Sequence, residues 1–288
     1  MNKTVETSQL EIQPLGGRLG CELVGLDLSR SITDELFQAV LDAFHQYSLL
    51  LVRDQNLHPD QIVCLSRGFG ELEKHVEAPY LLDGYQDIVV IGNLVIDGEM
   101  RSLFVNGREE WHFDYAFAAK PSIGALFYAV TVPPEGGDTL FADMSAAYTA
   151  LDEQQKVRIA ELCAVHSYER LDAHLRTMDP TRPALSDEDK RRWPPVSHPI
   201  VHSHPVTGRK SIRIAPEVIT DVEGLSTREG EQLIAELLAH STQPQFVYRQ
   251  EWREGDLLIF DNRCVLHTAT VFDSEKYLRV MYRTTIMQ

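Results

Sequence analysis

Apolar residues recur along this chain in two rhythms: runs bounded by turn formers, and stripes spaced three or four residues apart. LEIQPL and CELVGLDL read as strands broken by the glycines of PLGGRLG, and SLLLVRD reads as a buried strand. Between them Thr33 suits a helix N-cap, with Leu36, Val40, Leu41, Phe44 and Tyr47 on one helical stripe. Pro59 fits the first turn of a second helix, Ile62, Leu65 and Phe69 follow at helical spacing, and Gly70 is its stop. From Asp87 to Thr139 the pattern is strand-like, in DIVVIGNLV, IGALFYAVTV and the start of TLFADM. Residues 144–164 return to helical spacing through Tyr148, Leu151, Val157, Ile159 and Leu162.

Residues 169–195, rich in Asp, Arg, Pro and Glu, keep neither rhythm and predict a long loop or lid. HPIVHSHPVTGRKSIRI reads as two strands joined by a Pro-Val-Thr-Gly turn, and Ser226 to His240 as a helix with Leu233, Ile234, Leu237 and Leu238 apolar. QFVYRQEW, DLLIFDNRCVLHTAT and YLRVMYRTTI are three closing strands. No repeat, low-complexity tract or linker divides the chain, which predicts one domain over residues 1–288. The expected class is mainly β with helical insertions around a sandwich or barrel core.

Composition narrows the functional classes. Lys and Arg total 27 against 43 Asp and Glu, a formal charge of −16, which disfavours nucleic acid and anionic membrane surfaces as partners. Cys21, Cys64, Cys163 and Cys264 are far apart and form neither a metal-type pair nor a secreted disulfide framework. The first residues lack the apolar core of a signal peptide, and no run of about 18 apolar residues occurs. A cytoplasmic protein with no membrane span is expected.

Candidate chemistry centres on EEWHFDYAF, where His112 and Asp114 are two residues apart in a segment that reads as extended, so both side chains point to one face. An isolated H-x-D is weak in a chain with 11 histidines. His267 in the apolar run CVLH, followed by Arg279 and Arg283 in YLRVMYR, changes this: two imidazoles and one carboxylate hold a divalent iron and leave positions open. The two arginines, four residues apart in a predicted strand, share a face, and a guanidinium grips a carboxylate through two parallel hydrogen bonds. Spacing alone favours the other reading, a solvated pair on an edge strand.

These segments, taken in order, resemble the taurine/2,4-dichlorophenoxyacetate dioxygenase family of Fe(II)/2-oxoglutarate oxygenases. PLGGRLGCELVGLDL, LLLVRDQ with FGELE, WHFD, PPEGGDTLFADM, HPVTGRK, GDLLIFDNRCVLH and the terminal R-x-x-x-R carry the likeness across nearly the whole chain. The resemblance implies a double-stranded β-helix, or jelly roll, with iron held by His112, Asp114 and His267 as the catalytic centre. It also implies 2-oxoglutarate as cosubstrate and dioxygen as oxidant, with Thr139, Arg279 and Arg283 around the cosubstrate and Arg279 on its distal carboxylate. Read without the family, Thr139 is a β-branched residue after a Gly-Gly-Asp turn. Hydroxylation of a C–H bond, with release of succinate and carbon dioxide, is the implied outcome; the presence of Asp114 speaks against halogenation. A homo-oligomer, dimer or tetramer, is implied too.

For the substrate, His75 in LEKHVEAPY resembles a substrate ligand of the taurine enzyme, and Tyr115 and Phe117 read either as aromatic walls near the iron or as core packing. Arg213 in SIRIAP stands where the taurine enzyme's pattern has a pocket aromatic, and Ala215 replaces the usual Asn. An arginine there either binds an acidic substrate group or faces outward from an edge strand. A small anionic substrate met by Arg213, His75 or Arg283 is expected. The DNRCVLH and AAYTALDEQ segments look more like the aryloxyalkanoate branch than the taurine enzyme. His198, His202 and His204 read as turn and packing residues, and Cys264 as a small buried hydrophobe on the face opposite His267. Two other classes share the ligand set: a zinc-dependent jelly-roll hydrolase and a non-catalytic small-acid-binding protein.

Overall fold

The computed structural model describes residues 10–74, 78–103, 110–178 and 183–288. Its strands are β1 (Glu11–Pro14), β2 (Cys21–Val24), β3 (Leu49–Val52), β4 (Glu71–Leu72), β5 (Val89–Gly92), β6 (Val95–Ile96), β7 (Glu99–Met100), β8 (Gly124–Thr131) and β9 (Thr139–Asp143). They continue as β10 (Cys163–His166), β11 (Val196–Pro199), β12 (Val201–Ser203), β13 (Lys210–Ile212), β14 (Ile219–Val222), β15 (Val247–Gln250), β16 (Leu257–Asp261), β17 (Val265–Ala269) and β18 (Val280–Met287). The helices are α1 (Asp34–Tyr47), α2 (Pro59–Arg67), α3 (Met144–Ala150), α4 (Glu153–Ile159), α5 (Tyr168–Met178), α6 (Asp187–Arg192) and α7 (Thr227–Ser241).

The largest sheet runs β1-β2-β3-β16-β8-β18-β4, with β5 also paired to β18, and all its pairings but β2–β3 are antiparallel. A second sheet, β15-β9-β17, faces it. The central strands read as unbroken apolar runs because both their faces are covered. Leu49 and Leu51 of β3, Ala125, Phe127 and Ala129 of β8, and Leu258 and Phe260 of β16 point between the two sheets, where they meet Phe141 and Val265. Their alternates, Leu50, Val52, Leu126, Tyr128, Leu257 and Ile259, pack under the buried stripes of α1 and α2. A third cluster, behind the small sheet, joins Ala142, Leu266 and Phe113 to α3 and α7.

Local signals explain most helix limits. The Thr33 side chain accepts from the Leu36 amide to start α1, which closes on Ser48 in the left-handed region at φ 61°. Pro59 opens α2, whose C-cap is Gly68 rather than Gly70. Ser226 and Glu229 form a capping box for α7.

Two expectations are overturned. The described residues of 169–195 are not a structureless loop: they hold most of α5 and all of α6, while 179–182 lie outside the described residues. α5 turns only a few apolar residues, Leu171 and Leu175 among them, onto the core, and α6 buries none; it rests on the Ser186–Asp189 capping box, with acidic residues in its first turn and basic ones in its last. Such a helix carries no apolar period to read. DLLIFDNRCVLHTAT is likewise two strands, because the Asp261 carboxylate accepts from the Arg263 amide at 2.9 Å and turns the chain from the large sheet into the small one. Among the described residues no helix is long and apolar enough to cross a membrane.

Phe260 sits between the sheets against Phe127, Phe141 and His267, with ring centroids 5.5, 5.2 and 4.7 Å away. Phe260→Ala should cost about 3–5 kcal/mol. Urea unfolding should show this as a lower midpoint at similar slope, and an unchanged midpoint would contradict the two-sheet core.

Candidate metal centre and cosubstrate site

His267 lies on β17 with its side chain on the same face as Val265, toward the space between the sheets. Phe141, its direct partner on β9, stacks on the imidazole at 6.0 Å and 23°. His112 forms an isolated antiparallel bridge with His267: its amide donates to the His267 carbonyl at 3.0 Å, and the His267 amide donates back at 2.8 Å. This pairing sets the two rings 4.1 Å apart. The chain then turns, placing Asp114 beside them, so that one ligand atom from each of His112, Asp114 and His267 lies within 4.8 Å of the others. All three are buried, at 4%, 6% and 4% exposure. Two imidazoles and a carboxylate at this spacing are a donor set that fits Fe(II) and leaves coordination positions for other ligands.

The surroundings hold these groups in place. The His112 Nδ1 lies 2.8 Å from the Glu110 carbonyl, which fixes the ring and assigns Nε2 to a metal. The Glu110 carboxylate in turn takes His174 of α5 at 2.7 Å. The Asp114 carbonyl accepts from Ser122 Oγ at 3.1 Å, and Asn262 reaches the same carbonyl at 3.4 Å. Arg283 Nη1 donates to Asp114 Oδ1 at 3.3 Å. Nearby, burial pushes the Glu73 carboxyl up to about 7, against the opposing pull of Arg283.

The segment is extended only through Phe113. Tyr115 adopts φ +60°, so Tyr115 and Phe117 leave the expected alternation and lie on a turn. Their rings nevertheless gather: Phe117 lies 4.6 Å from Tyr168 and 5.2 Å from Trp193, and Tyr115 lies 6.2 Å from Trp193. Trp193 comes from the stretch read as a loop and Tyr168 stands just before it, and no sequence signal pointed to either. His75 lies outside the described residues.

Thr139 and Arg279 come together at the start of β9. Arg279, just before β18, is buried and donates from Nε to the Gly137 carbonyl at 3.1 Å. Burial lowers it to about 10, with Asp138 opposing, so it remains a cation at neutral pH. Two residues beyond Gly137, the Thr139 Oγ accepts from the indole N–H of Trp252 at 3.0 Å, which leaves its proton to donate. Trp252 and Asp138, which binds Arg249, are supports the sequence did not single out. Arg283 lies on β18 opposite Phe127 and is buried, so the edge-strand reading of the arginines fails.

A second buried trio, His204, Asp261 and Cys264, also lies within ligand range. Its groups are already used. His204 Nε2 donates to Asp261 at 3.0 Å, while Nδ1 accepts from the amides of Val206 and Thr207, clasping the Pro-Val-Thr-Gly turn. Burial favours a protonated Asp261, but the bound Arg263 and His204 outweigh it and hold the carboxyl below its usual value. Burial pushes the Cys264 thiol up to about 11, so it stays protonated and binds metal poorly. Calorimetric titration with Mn(II) should find His267→Ala weakened by at least about 100-fold, beyond the loss typical of an outer-shell change. Cys264→Ser should match the wild type; the reverse pattern would move the centre to the other trio.

Comparison with known proteins agrees with this geometry. Residues 11–285 match the family model described as "Taurine catabolism dioxygenase TauD, TfdA family". The chain is 34% identical over 272 residues to an alpha-ketoglutarate-dependent 2,4-dichlorophenoxyacetate dioxygenase of Burkholderia sp. (strain RASC), covering 91% of this chain and 89% of that one. It is 33% identical over 288 residues to an (S)-phenoxypropionate/alpha-ketoglutarate-dioxygenase of Sphingobium herbicidovorans, covering 96% and 94%. Among solved structures, AAD-2 in complex with Mn(II) and N-oxalylglycine matches with a TM-score of 0.77 at 30% identity, over 96% of this chain and 97% of that one. A taurine dioxygenase from Burkholderia xenovorans matches with a TM-score of 0.79 at 27% identity, over 97% and 89%. With two imidazoles and a carboxylate converging as they do, and likeness running the length of the chain, this protein belongs to the TauD/TfdA family of 2-oxoglutarate-dependent dioxygenases.

Proposed function

We propose that this chain oxidises a C–H bond of a small anionic organic molecule, by hydroxylation, with Fe(II), dioxygen and 2-oxoglutarate, releasing succinate and carbon dioxide. The observation that carries this reading is the convergence of His112, Asp114 and His267. When bound, the iron supplies the oxygen activation and electron transfer that amino-acid side chains lack. His112 and His267 contribute neutral imidazoles, and Asp114 a carboxylate whose charge Arg283 helps to balance.

Arg279 receives the distal carboxylate of 2-oxoglutarate as the in-plane fork of a buried guanidinium, and Thr139 donates its hydroxyl proton to the same group. Phe127, Phe141 and Phe260 around His267 keep water from that side of the centre. The cluster of Tyr115, Phe117, Tyr168 and Trp193 offers an aromatic wall for an apolar substrate body, which suits an aryloxyalkanoate or related aryl acid of the kind named for the two relatives above. The two facing sheets support a double-stranded β-helix fold in one domain spanning residues 1–288. A cytoplasmic homo-oligomer is part of the proposal.

Succinate formation should require Fe(II), dioxygen and 2-oxoglutarate together, and anionic aryl acids should stimulate it. Oxygen-independent turnover supported by zinc would point to a hydrolase, and absence of any turnover over a broad panel to a binding protein. Gly137, at φ +67°, disfavours a side chain: a Cβ there would lie 3.1 Å from Arg279 Cδ and 3.0 Å from Pro133 Cγ, so Arg279 would have to shift. Gly137→Ala should therefore raise the KM for 2-oxoglutarate several-fold while leaving Mn(II) affinity unchanged. Equal KM values would argue against Arg279 as the cosubstrate's anchor.

A further inference from the structure

Buried arginines in this protein come with acceptors. Arg263 holds Asp261, Arg279 holds the Gly137 carbonyl, and Arg283 holds Asp114. Half-buried Arg213 differs. Its Nε is buried without a hydrogen-bond partner, and no described carboxylate or carbonyl accepts from its guanidinium. Burial lowers it to about 10, so at neutral pH it is a cation, and no carboxylate among the described residues pairs with it. Arg213 is half-buried, but its Nε is shut away from water, and a cation so placed without an anion carries a desolvation cost that an arriving anion would offset.

Its placement indicates what arrives. Arg213 follows β13, and its amide is tied to the Ile200 carbonyl at 2.7 Å. The guanidinium carbon lies 5.1 Å from the centre of the Phe113 ring, and Phe113 stands between the two ligands His112 and Asp114. Contact with the ring occupies a face of the guanidinium and leaves its edge donors for a planar or tetrahedral oxyanion. Around it are His166, His198 and His202, from β10, β11 and β12. Burial first, and the Arg213 charge besides, holds them neutral; His166 is pushed down to about 3 and His202 to about 4. Among the described residues the site thus carries one uncompensated positive charge, a match for one anionic group. Arg283 is different, because Asp114 already shares its charge.

We propose that Arg213 is the specificity-determining anchor for the substrate's anionic group, a carboxylate, sulfonate or sulfate ester, while Arg283 serves Asp114 and Arg279 serves the cosubstrate. The assignment of a substrate rests on the oxygenase reading above; the anion site itself does not. Anchoring the acid beside Phe113 keeps the rest of the molecule on the segment that carries two of the three metal ligands. A neutral analogue of the same shape would leave the guanidinium unpaired and be rejected on that ground.

The test uses inorganic sulfate, the smallest probe of this chemistry, on the full chain loaded with Mn(II) and saturating 2-oxoglutarate under argon, so that Arg279 is occupied and no turnover occurs. Calorimetry should find a sulfate site in the wild type that Arg213→Met, or Arg213→Gln if that chain misfolds, weakens by about tenfold or more. Arg213→Lys, which keeps the charge but not the fork, should fall between. Wild type and Arg213→Met binding sulfate equally, or the wild type binding none, would overturn the proposal. Loss of 2-oxoglutarate binding in every chain would instead count against the oxygenase reading and leave the sulfate comparison intact.

Discussion

Two reciprocal backbone hydrogen bonds between His112 and His267 are the constraint on which the site depends. One histidine sits on a strand of the small sheet; the other belongs to an irregular segment far away in sequence, before the core strand β8. A single pair of N–H to carbonyl bonds brings their Cα atoms opposite one another, and the side chains follow. Asp114 is then placed by the turn that begins there, its carbonyl held by Ser122 and Asn262. The ligand geometry is thus mainly a property of the backbone, stiffened by the sheets behind it.

Those sheets explain why the centre is dry on one side and charged on the other. Alternate residues of β3, β8 and β16 fill the space between the sheets with leucine and phenylalanine, and His267 stands at the edge of that packing. Opposite it, Arg279 and Arg283 enter from the end of the same sheet with their charges met by the Gly137 carbonyl and by Asp114. Arg213 follows β13, outside the two facing sheets, and no acid among the described residues pairs with it. Arg279 and Arg283 therefore share one strand end, while Arg213 comes from a separate part of the fold, so in the proposed scheme the substrate's arginine can change without disturbing the other two.

Much of this was legible in the sequence, and what was not has physical reasons. The strands LLLV and GALFYAVT announce themselves because both faces are apolar, and Thr33, Pro59 and Ser226 mark helix starts through their own hydrogen-bonding chemistry. His112, Asp114 and His267 were recognisable as a set because their residue types suit one ion; their meeting was not visible, since it depends on a bridge between distant segments. α6 was invisible because it buries nothing, and the left-handed Tyr115 because only the surrounding packing selects it. Trp252 behind Thr139 and Trp193 over Phe117 are tertiary contacts with no local pattern. The missing counter-ion of Arg213 is likewise a fact about its neighbours in space, beyond the reach of a chain read in one dimension.

Anomalous X-ray diffraction from crystals equilibrated with Mn(II) tests the central claim most directly, because it locates the ion without reference to activity. A single strong peak within bonding distance of His112, Asp114 and His267 is the predicted result. A peak at His204, Asp261 and Cys264, or none beside the bridged histidines, would contradict it.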